Sequence, residues 1–516
     1  MDDLYTDNDP DYRNARVRSG IPPPVYRDKY RFQQHQQRNN ADLSRYNPAM
    51  QRNQPRHRQD PYKPYPNSSE EIHGYRQDNR HEQQQRRDSR HDQRHDSRYE
   101  QDQRRDPRYE QGQRQQQQNR VLEPPRPTIK IDFRANTDFL SCEKPLPLTQ
   151  LIQCIQLHTI ESKEEDFFIM PGMVEKMNRL KEKIRHVPRE QLSAARSRSN
   201  PFERIGNSIF MNRAATKLAA LDATFGLSVT SQNNPLLFAD LCGGPGGFTE
   251  YLLWRVHSWG GSAQGYGMTL KAPKEKDELN WHIEKFRQDI PPHFTQVDGP
   301  DKTGDIYKEE NIRAFDAVIA RNTQGEGVDL VVADGGFDFT GNEDKQEQLA
   351  QRLQLCEIIT MLTCLKQGGH FVCKFFDILS EFTGDLVWLL YQLFDQVCIT
   401  KPLTSRPANS ERYIVCKGLR YIHPTELIET LLSLNSRLEQ EQQEQAFLTR
   451  KLLEEDDDFM NYLKMRNMKF VLKQTEALEQ LDKFMNNPSL SSSQDQEQVK
   501  RACLNEWRLP LTDPLY

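Results

Sequence analysis

The sequence predicts an α/β fold built on a mostly parallel, doubly wound sheet with an antiparallel last strand. Three observations carry that reading. From Leu236 onward, short apolar runs alternate with helical stretches of about ten to twenty residues, the pattern of a parallel sheet covered on both faces. The first run, LLFADL, stops at an acid and opens into CGGPGGF, a turn almost bare of side chains that leads into a helix. The last two runs, QVCITKP and ERYIVCKGL, are joined by a link too short to hold a crossover helix, so that pair is expected to be antiparallel.

Taken in order, residues 1–120 are Arg, Gln, Asp, His, Tyr and Pro with almost no aliphatic run. Such a stretch buries too little apolar surface to offset its ordering entropy, so a long disordered tail is expected. Its interleaved Arg and Tyr suit weak RNA contact or a protein partner, and a plain solvated tail fits equally well. Residues 121–200 turn helical in pattern, with LTQLIQCIQLH and MVEKMNRLKEKIRHV, and end in Arg189, Arg196 and Arg198 before a helix expected near Pro201. Clustered arginines can grip a polyphosphate, or merely form a solvated basic face. Residues 201–420 hold the core: a helix through IFMNRAATKLAALDATF burying Ile209, Phe210, Ala214 and Leu218, then strands in GSAQGYGMTL, HFTQVDG, VDLVVADGGF and GGHFVCKFFD, with helices near 345–366 and 379–393. Residues 421–516 read as a helical extension packed on that core, or as a small partner-binding bundle.

The chain has 516 residues, a net charge of −5 and a mean hydropathy of −0.88, so much of it lies outside any packed core. The acidic, polar start carries no secretory signal, and no apolar run reaches the roughly 18 residues needed to cross a bilayer. Nine scattered cysteines, without a C-x-x-C or a nearby His pair, indicate neither a metal site nor a disulfide framework.

The turn after Asp240 is not a phosphate loop. Phe248 stands where a P-loop needs Lys and Ser or Thr, and the glycine spacing does not match a dinucleotide fingerprint. An adenosine-bearing ligand without a pyrophosphate fits better, and S-adenosylmethionine is the candidate; the bland alternative is a turn kept only for tight packing.

Four ionisable residues fall at one expected edge of the sheet. Asp334 closes VVAD, Lys374 closes HFVCK, Asp305 follows the third strand, and Glu411 opens an antiparallel strand at the same edge. Lys217, on the first core helix, would by default snorkel to water. Singly, each fits a solvated terminus. Together, Lys217, Asp334, Lys374 and Glu411 suit methyl transfer to a hydroxyl, which needs an amine of lowered pKa as proton acceptor. On that reading Lys374 is the base, Lys217 the neighbouring cation that lowers its pKa, Asp334 its orienter and Glu411 the group that holds Lys217. No metal is required.

These motifs, RSRSNPFE, FMNRAATK, FADLCGGPGGFTEYLLWR, GYGMTLK, GDIYKEENI, VVADGGF, GGHFVCKFFD and TSRPANSERYIVCKGL, stand in one order from about Arg196 to Arg420. In them the chain resembles the eukaryotic cap-1 mRNA methyltransferases, within the Rossmann-fold, S-adenosylmethionine-dependent 2′-O-ribose methyltransferases that share a Lys-Asp-Lys-Glu tetrad. The resemblance implies Lys217, Asp334, Lys374 and Glu411 as that tetrad. It implies Cys242, Gly243, Gly244, Pro245, Gly246, Gly247 and Phe248 along the methionine part of the cofactor, with Asp305 and Ile306 at its adenosine. It further implies capped-RNA contacts at Lys181, Glu182, Lys183, Ile184, Arg185, Arg196, Asp344, Lys345, Gln346 and Asn409. Capped mRNA as substrate, RNA polymerase II or the capping machinery as partner, and a nuclear location follow as expectations. A ribose methyltransferase acting on ribosomal or small nuclear RNA, and an inactive RNA-binding scaffold, are the alternatives the residues leave open.

Overall fold

A computed structural model describes residues 130–516, apart from 135, 161–166, 206–208, 230–233, 338–344, 442, 492–493 and 511–516. The expected tail over residues 1–120 and the expected RNA contact at Asp344 lie outside the described residues.

Ahead of the core stand α1 (Leu148–Cys154), β1 (His158–Thr159), α2 (Met173–Arg185) and α3 (Arg189–Ser199). The core runs α4 (Ala214–Phe225), β2 (Leu236–Leu241), α5 (Gly247–Ser258), β3 (Ala263–Met268), β4 (Phe294–Gln296), α6 (Glu309–Thr323), β5 (Val328–Ala333), α7 (Gln346–Cys364), β6 (Leu365–Phe375), α8 (Glu381–Leu393), β7 (Phe394–Thr400) and β8 (Arg412–Leu419). After it come α9 (Thr425–Leu438), β9 (Gln445–Ala446), α10 (Arg450–Glu454), α11 (Asp457–Asn486) and α12 (Gln496–Glu506).

The sheet order is β4-β3-β2-β5-β6-β8-β7. Strands β2 to β6 are parallel, and β8 inserts antiparallel between β6 and β7. The short link before β8 thus gives the antiparallel strand expected of it, and brings the start of β8 to the same edge as the ends of β2, β5 and β6. Strand residues alternate between two apolar layers with period two. Ala239, Val331, Cys373 and Ile414 face the layer covered by α7, α8 and α9. Phe238, Val332, Val372 and Val415 face the layer covered by α4, α5 and α12. Chain order runs outward from β2 through β3 and β4 on one side and, from β5, through β6 on the other, so the gap between β2 and β5 is the switch point at which open α/β sheets bind ligands.

Three features depart from the sequence reading. A helix does not start near Pro201: a short 3-10 turn occupies Glu203–Ile205, and α4 begins at Ala214, whose N–H is accepted by Asn212 Oδ1 at 2.9 Å. Ile209 and Phe210 are buried as expected, but ahead of the helix, where Phe210 packs edge-on against Trp254. Arg198 does not belong to a phosphate grip. Its guanidinium donates to the carbonyls of Phe484 (2.8 Å), Asn487 (3.1 Å), Pro488 (2.7 Å) and Leu490 (3.1 Å), which satisfies the open acceptors where α11 ends. Finally, β1 and β9 form a two-residue antiparallel pair outside the main sheet, too short to leave a pattern in the sequence.

Candidate active site

The site lies at the carboxyl edge of β2, β5 and β6. Asp240, at the end of β2, is fully buried and accepts from Thr249 N–H (3.1 Å) and Thr249 Oγ1 (2.7 Å), fixing the start of α5 over the strand end. The turn between them needs its glycines. A Cβ on Gly243 would lie 2.3 Å from Asp240 Oδ1, and Gly246 sits at φ +120°, where L-residues are strained. Across the switch point the next turn is Asp334-Gly335-Gly336. A Cβ on Gly335 would come within 3.1 Å of Cys242 Cβ, so the two turns touch.

Four charged groups converge there. Lys217 Nζ, from α4, lies 2.7 Å from Glu411 Oε2 and 3.7 Å from Asp334 Oδ2. Lys374 Nζ, near the end of β6, lies 3.1 Å from Asp334 Oδ1 and donates to the Asp334 carbonyl at 2.7 Å. Rather than reaching solvent, the Lys217 side chain is only 13% exposed, which departs from the snorkelling default. Packing two cations against two anions offsets the desolvation that would make any one of them costly here.

The charge state of Lys374 differs from the sequence reading, which expects a lowered pKa. Burial does push the amine down, but the facing carboxylates of Asp334 and Glu411 outweigh it, and the net direction is up from the ordinary lysine value. Glu411 is held far below the usual carboxylate range: burial works against this, while Lys217, Lys374 and Lys401 overcome it. In this state the centre is a closed ion network with Lys374 protonated.

Beneath the network lies Glu357 of α7, fully buried. Its Oε2 accepts from Cys373 Sγ at 3.2 Å, and its Oε1 lies so close to Gly335 that a Cβ there would be 2.2 Å away. Burial pushes this carboxyl up to about 7, against an ordinary value of 4.5, with Asp334 adding and Lys374 opposing. The folded state therefore holds a proton that the unfolded chain releases, and stability falls as pH rises from the unfolded to the folded value, then levels off. We expect thermal melts at pH 8 to lie below those at pH 5.5. Glu357→Gln should narrow that gap, and an unchanged gap would show that Glu357 does not titrate in this window.

The other expected site residues divide. Asp305 follows β4, and its Oδ1 accepts from Tyr307 N–H at 2.9 Å, while Ile306 is 4% exposed in the core below it. Lys181 Nζ is tied to Asp377 (2.9 Å) and Ser410 Oγ (2.9 Å), beside Asn409 and Glu411. Glu182 pairs with Arg185 (3.0 Å), and Lys183 with Asp482 (2.6 Å). Ile184 does not fit a ligand contact through its side chain, which packs into the apolar layer between α2 and α11. A groove of ≈ 620 Å³ runs along α2, lined by Glu175, Arg179, Lys181, Glu182 and Arg185 among others. Arg196 is half-buried on α3; Lys345 is exposed and Gln346 half-buried where α7 begins. Asn409 Oδ1 accepts from Lys401 Nζ at 2.6 Å.

Two residues at the centre were not singled out from the sequence. Lys401 Nζ donates to Asn409 Oδ1, to the Asn409 carbonyl (3.1 Å) and to the Glu411 carbonyl (2.7 Å), closing the loop that carries Glu411. Tyr413 is fully buried, and its hydroxyl donates to Asp334 Oδ1 at 2.5 Å. A lysine beside a proline and an aromatic residue within an apolar strand give no sign of these contacts. Among the described residues no cluster of metal-ligating side chains occurs, and no helix is long and apolar enough to cross a membrane.

A methyl-donor nucleoside fits these residues. The glycine turn leaves backbone rather than side chains at the strand end, and a Cβ on Gly336 would sit 3.0 Å from Lys374 Nζ, so glycine there keeps the amine approachable. Comparison with known proteins agrees. Residues 210–419 match the FtsJ-like methyltransferase family model. The chain is 39% identical over 341 residues to the cap-specific mRNA (nucleoside-2′-O-)-methyltransferase 1 of Mus musculus, covering 62% of this chain and 40% of that protein. It is 39% identical over 334 residues to the protein of the same name from Dictyostelium discoideum, covering 61% and 43%, and 35% identical over 395 residues to that of Bos taurus, covering 72% and 46%. The chain thus spans less than half the length of these relatives. The matched segment, residues 210–419, holds the glycine turn and all four convergent groups, and in that segment the chain is similar to the FtsJ-like methyltransferases.

Proposed function

We propose that the chain methylates the ribose 2′-hydroxyl of the first transcribed nucleotide of 5′-capped mRNA, using S-adenosylmethionine. The observation that carries the reaction type is the convergence of Lys217, Asp334, Lys374 and Glu411 at the switch point. The printed names of the relatives support the cap as substrate. Residues Cys242 to Phe248 would hold the amino-acid end of the cofactor, and Asp305 and Ile306 its adenosine. When bound there, S-adenosylmethionine supplies the methyl group and a positive sulfonium charge.

Within the chain, the role of Lys374 Nζ would be to take the 2′-hydroxyl proton, while the bound cofactor would supply the methyl group, its carbon–sulfur bond giving way to the new carbon–oxygen bond. For that the amine must first be neutral, and the network as it stands favours the ammonium. Any added positive charge beside Lys374 moves it toward the neutral form, as does exclusion of water by RNA. Asp334 aims the amine through its carbonyl and Oδ1. Glu411 holds Lys217 so that its charge stays beside the reacting oxygen.

RNA would run past Asn409, Arg196 and the start of α7 at Lys345 and Gln346, with the groove along α2 at Lys181 to Arg185 for the cap. Since Lys401 occupies the Oδ1 of Asn409, the amide N–H₂ is the group left to meet an RNA acceptor. Work on nascent transcripts beside RNA polymerase II or the capping machinery, in the nucleus, follows from that substrate. Capped and uncapped transcripts of one sequence separate this reading from its runner-up. Methylation is expected to require the cap; equal rates on both would point to a ribose methyltransferase of other RNA.

A further inference from the structure

Tyr413 stands two residues after Glu411 and is the register partner of Lys374 across the β6–β8 pair. Partnered residues of an antiparallel pair project to the same face, so phenol and amine leave the sheet side by side. The phenol joins both halves of the ion network. It donates to Asp334 Oδ1 at 2.5 Å and accepts from Lys217 Nζ at 3.2 Å. The oxygen it donates to is the one 3.1 Å from Lys374 Nζ.

That shared oxygen has a chemical consequence. A carboxylate oxygen that accepts a short O–H bond has part of its charge neutralised by that donor and attracts a second donor less. Asp334 orients Lys374, yet its full charge would also lock a proton on the amine and defeat its use as a base. We propose that Tyr413 is a positioning residue for methyl transfer: its hydroxyl occupies Asp334 Oδ1, weakens the Asp334–Lys374 ion pair, and so lets Lys374 release its proton and act as the acceptor.

The surroundings favour a tyrosine that stays a donor. Its hydroxyl faces Asp334 from the turn after β5, Lys217 from α4, Glu411 at the head of its own strand, and Lys374 and Cys373 from β6. The Phe248 ring of α5 packs at 6.5 Å. Burial, with the charges of Asp334 and Glu411, drives the phenol well above its ordinary value, so it remains O–H across the working pH range. Lys217 keeps its bond to Glu411 without it.

The inference rests on the 2′-O-methylation reading, and its test has one arm free of that reading. Tyr413→Phe removes only the hydroxyl. In the full chain, the ε-carbon signal of Lys374 is titrated by NMR with ¹³C-labelled lysine and assigned by its absence in Lys374→Arg. Methyl transfer to capped RNA is followed over the same pH range. The expected result is a Lys374 titration raised by about one unit in Tyr413→Phe, equal to roughly a tenfold loss of neutral amine. The transfer rate should show about the same deficit near neutral pH and converge with the wild type in alkali. An unmoved lysine titration, or a rate deficit constant at every pH, would overturn the inference and leave Tyr413 a packing residue. If the wild type transferred no methyl group, the functional reading would fail, and the titration arm would still decide what Tyr413 does to the ion pair.

Discussion

Lys374→Arg is expected to lose methyl transfer by a factor of about a thousand or more while S-adenosylmethionine still binds. General-base catalysis contributes about 10² to 10⁴ in rate, and a guanidinium stays protonated at any pH the protein tolerates, so it cannot accept the hydroxyl proton. The substitution retains the positive charge facing Asp334 and Glu411, so the ion network that holds the site should survive. Calorimetry with the cofactor and a rate assay on capped RNA separate the two effects. A variant that binds cofactor and keeps a tenth or more of the wild-type rate would mean that another group takes the proton.

Gly246→Ala is expected to damage fold and cofactor site together. Gly246 lies at φ +120°, a conformation that costs a non-glycine residue about 1–3 kcal/mol. The new methyl would also meet Phe286 Cε1 at 2.6 Å, and that ring is 5% exposed and has nowhere to retreat. Overpacking of that kind typically costs a further 1–3 kcal/mol or so. The turn can escape only by shifting, which moves the backbone expected to hold the methionine end of the cofactor. Thermal melts should fall by several degrees, on the order of 2–4 °C for each kcal/mol in a domain of this class. The upward shift on adding S-adenosylmethionine should shrink or vanish. A melt close to that of the wild type with a full ligand shift would show that the turn adapts, and would remove Gly246 from the cofactor site.

How much of this was legible beforehand follows the range of the interactions concerned. The strands and helices of the core carry their pattern locally, so alternating apolar runs located β2, β3, β5, β6, β7 and β8, and the short link before Glu411 fixed the antiparallel sense of β8. Lys217, Asp334, Lys374 and Glu411 could be placed together because each closes or opens a strand or lies on the adjoining helix, and a parallel sheet gathers such positions at one edge.

What escaped was set by partners far away in sequence. Tyr413 reads as one more apolar residue in RYIVC until β8 pairs with β6 in the register that puts it beside Lys374. Arg198 reads as part of a basic cluster, yet its acceptors are carbonyls in the last turn of α11 and the segment that follows it, some 290 residues onward. The expected fall in the pKa of Lys374 considered the neighbouring cation but not how closely two buried carboxylates approach: burial is the largest single influence and lowers it, but Asp334, 3.1 Å away, and Glu411 together outweigh it.

The most direct measurement is mass spectrometry of a short capped RNA after incubation with the full chain and S-adenosylmethionine, with nuclease digestion to locate any added group. The predicted result is a single methyl on the ribose of the first transcribed nucleotide. A methyl on a base, on an internal ribose, or equally on uncapped RNA would contradict the account.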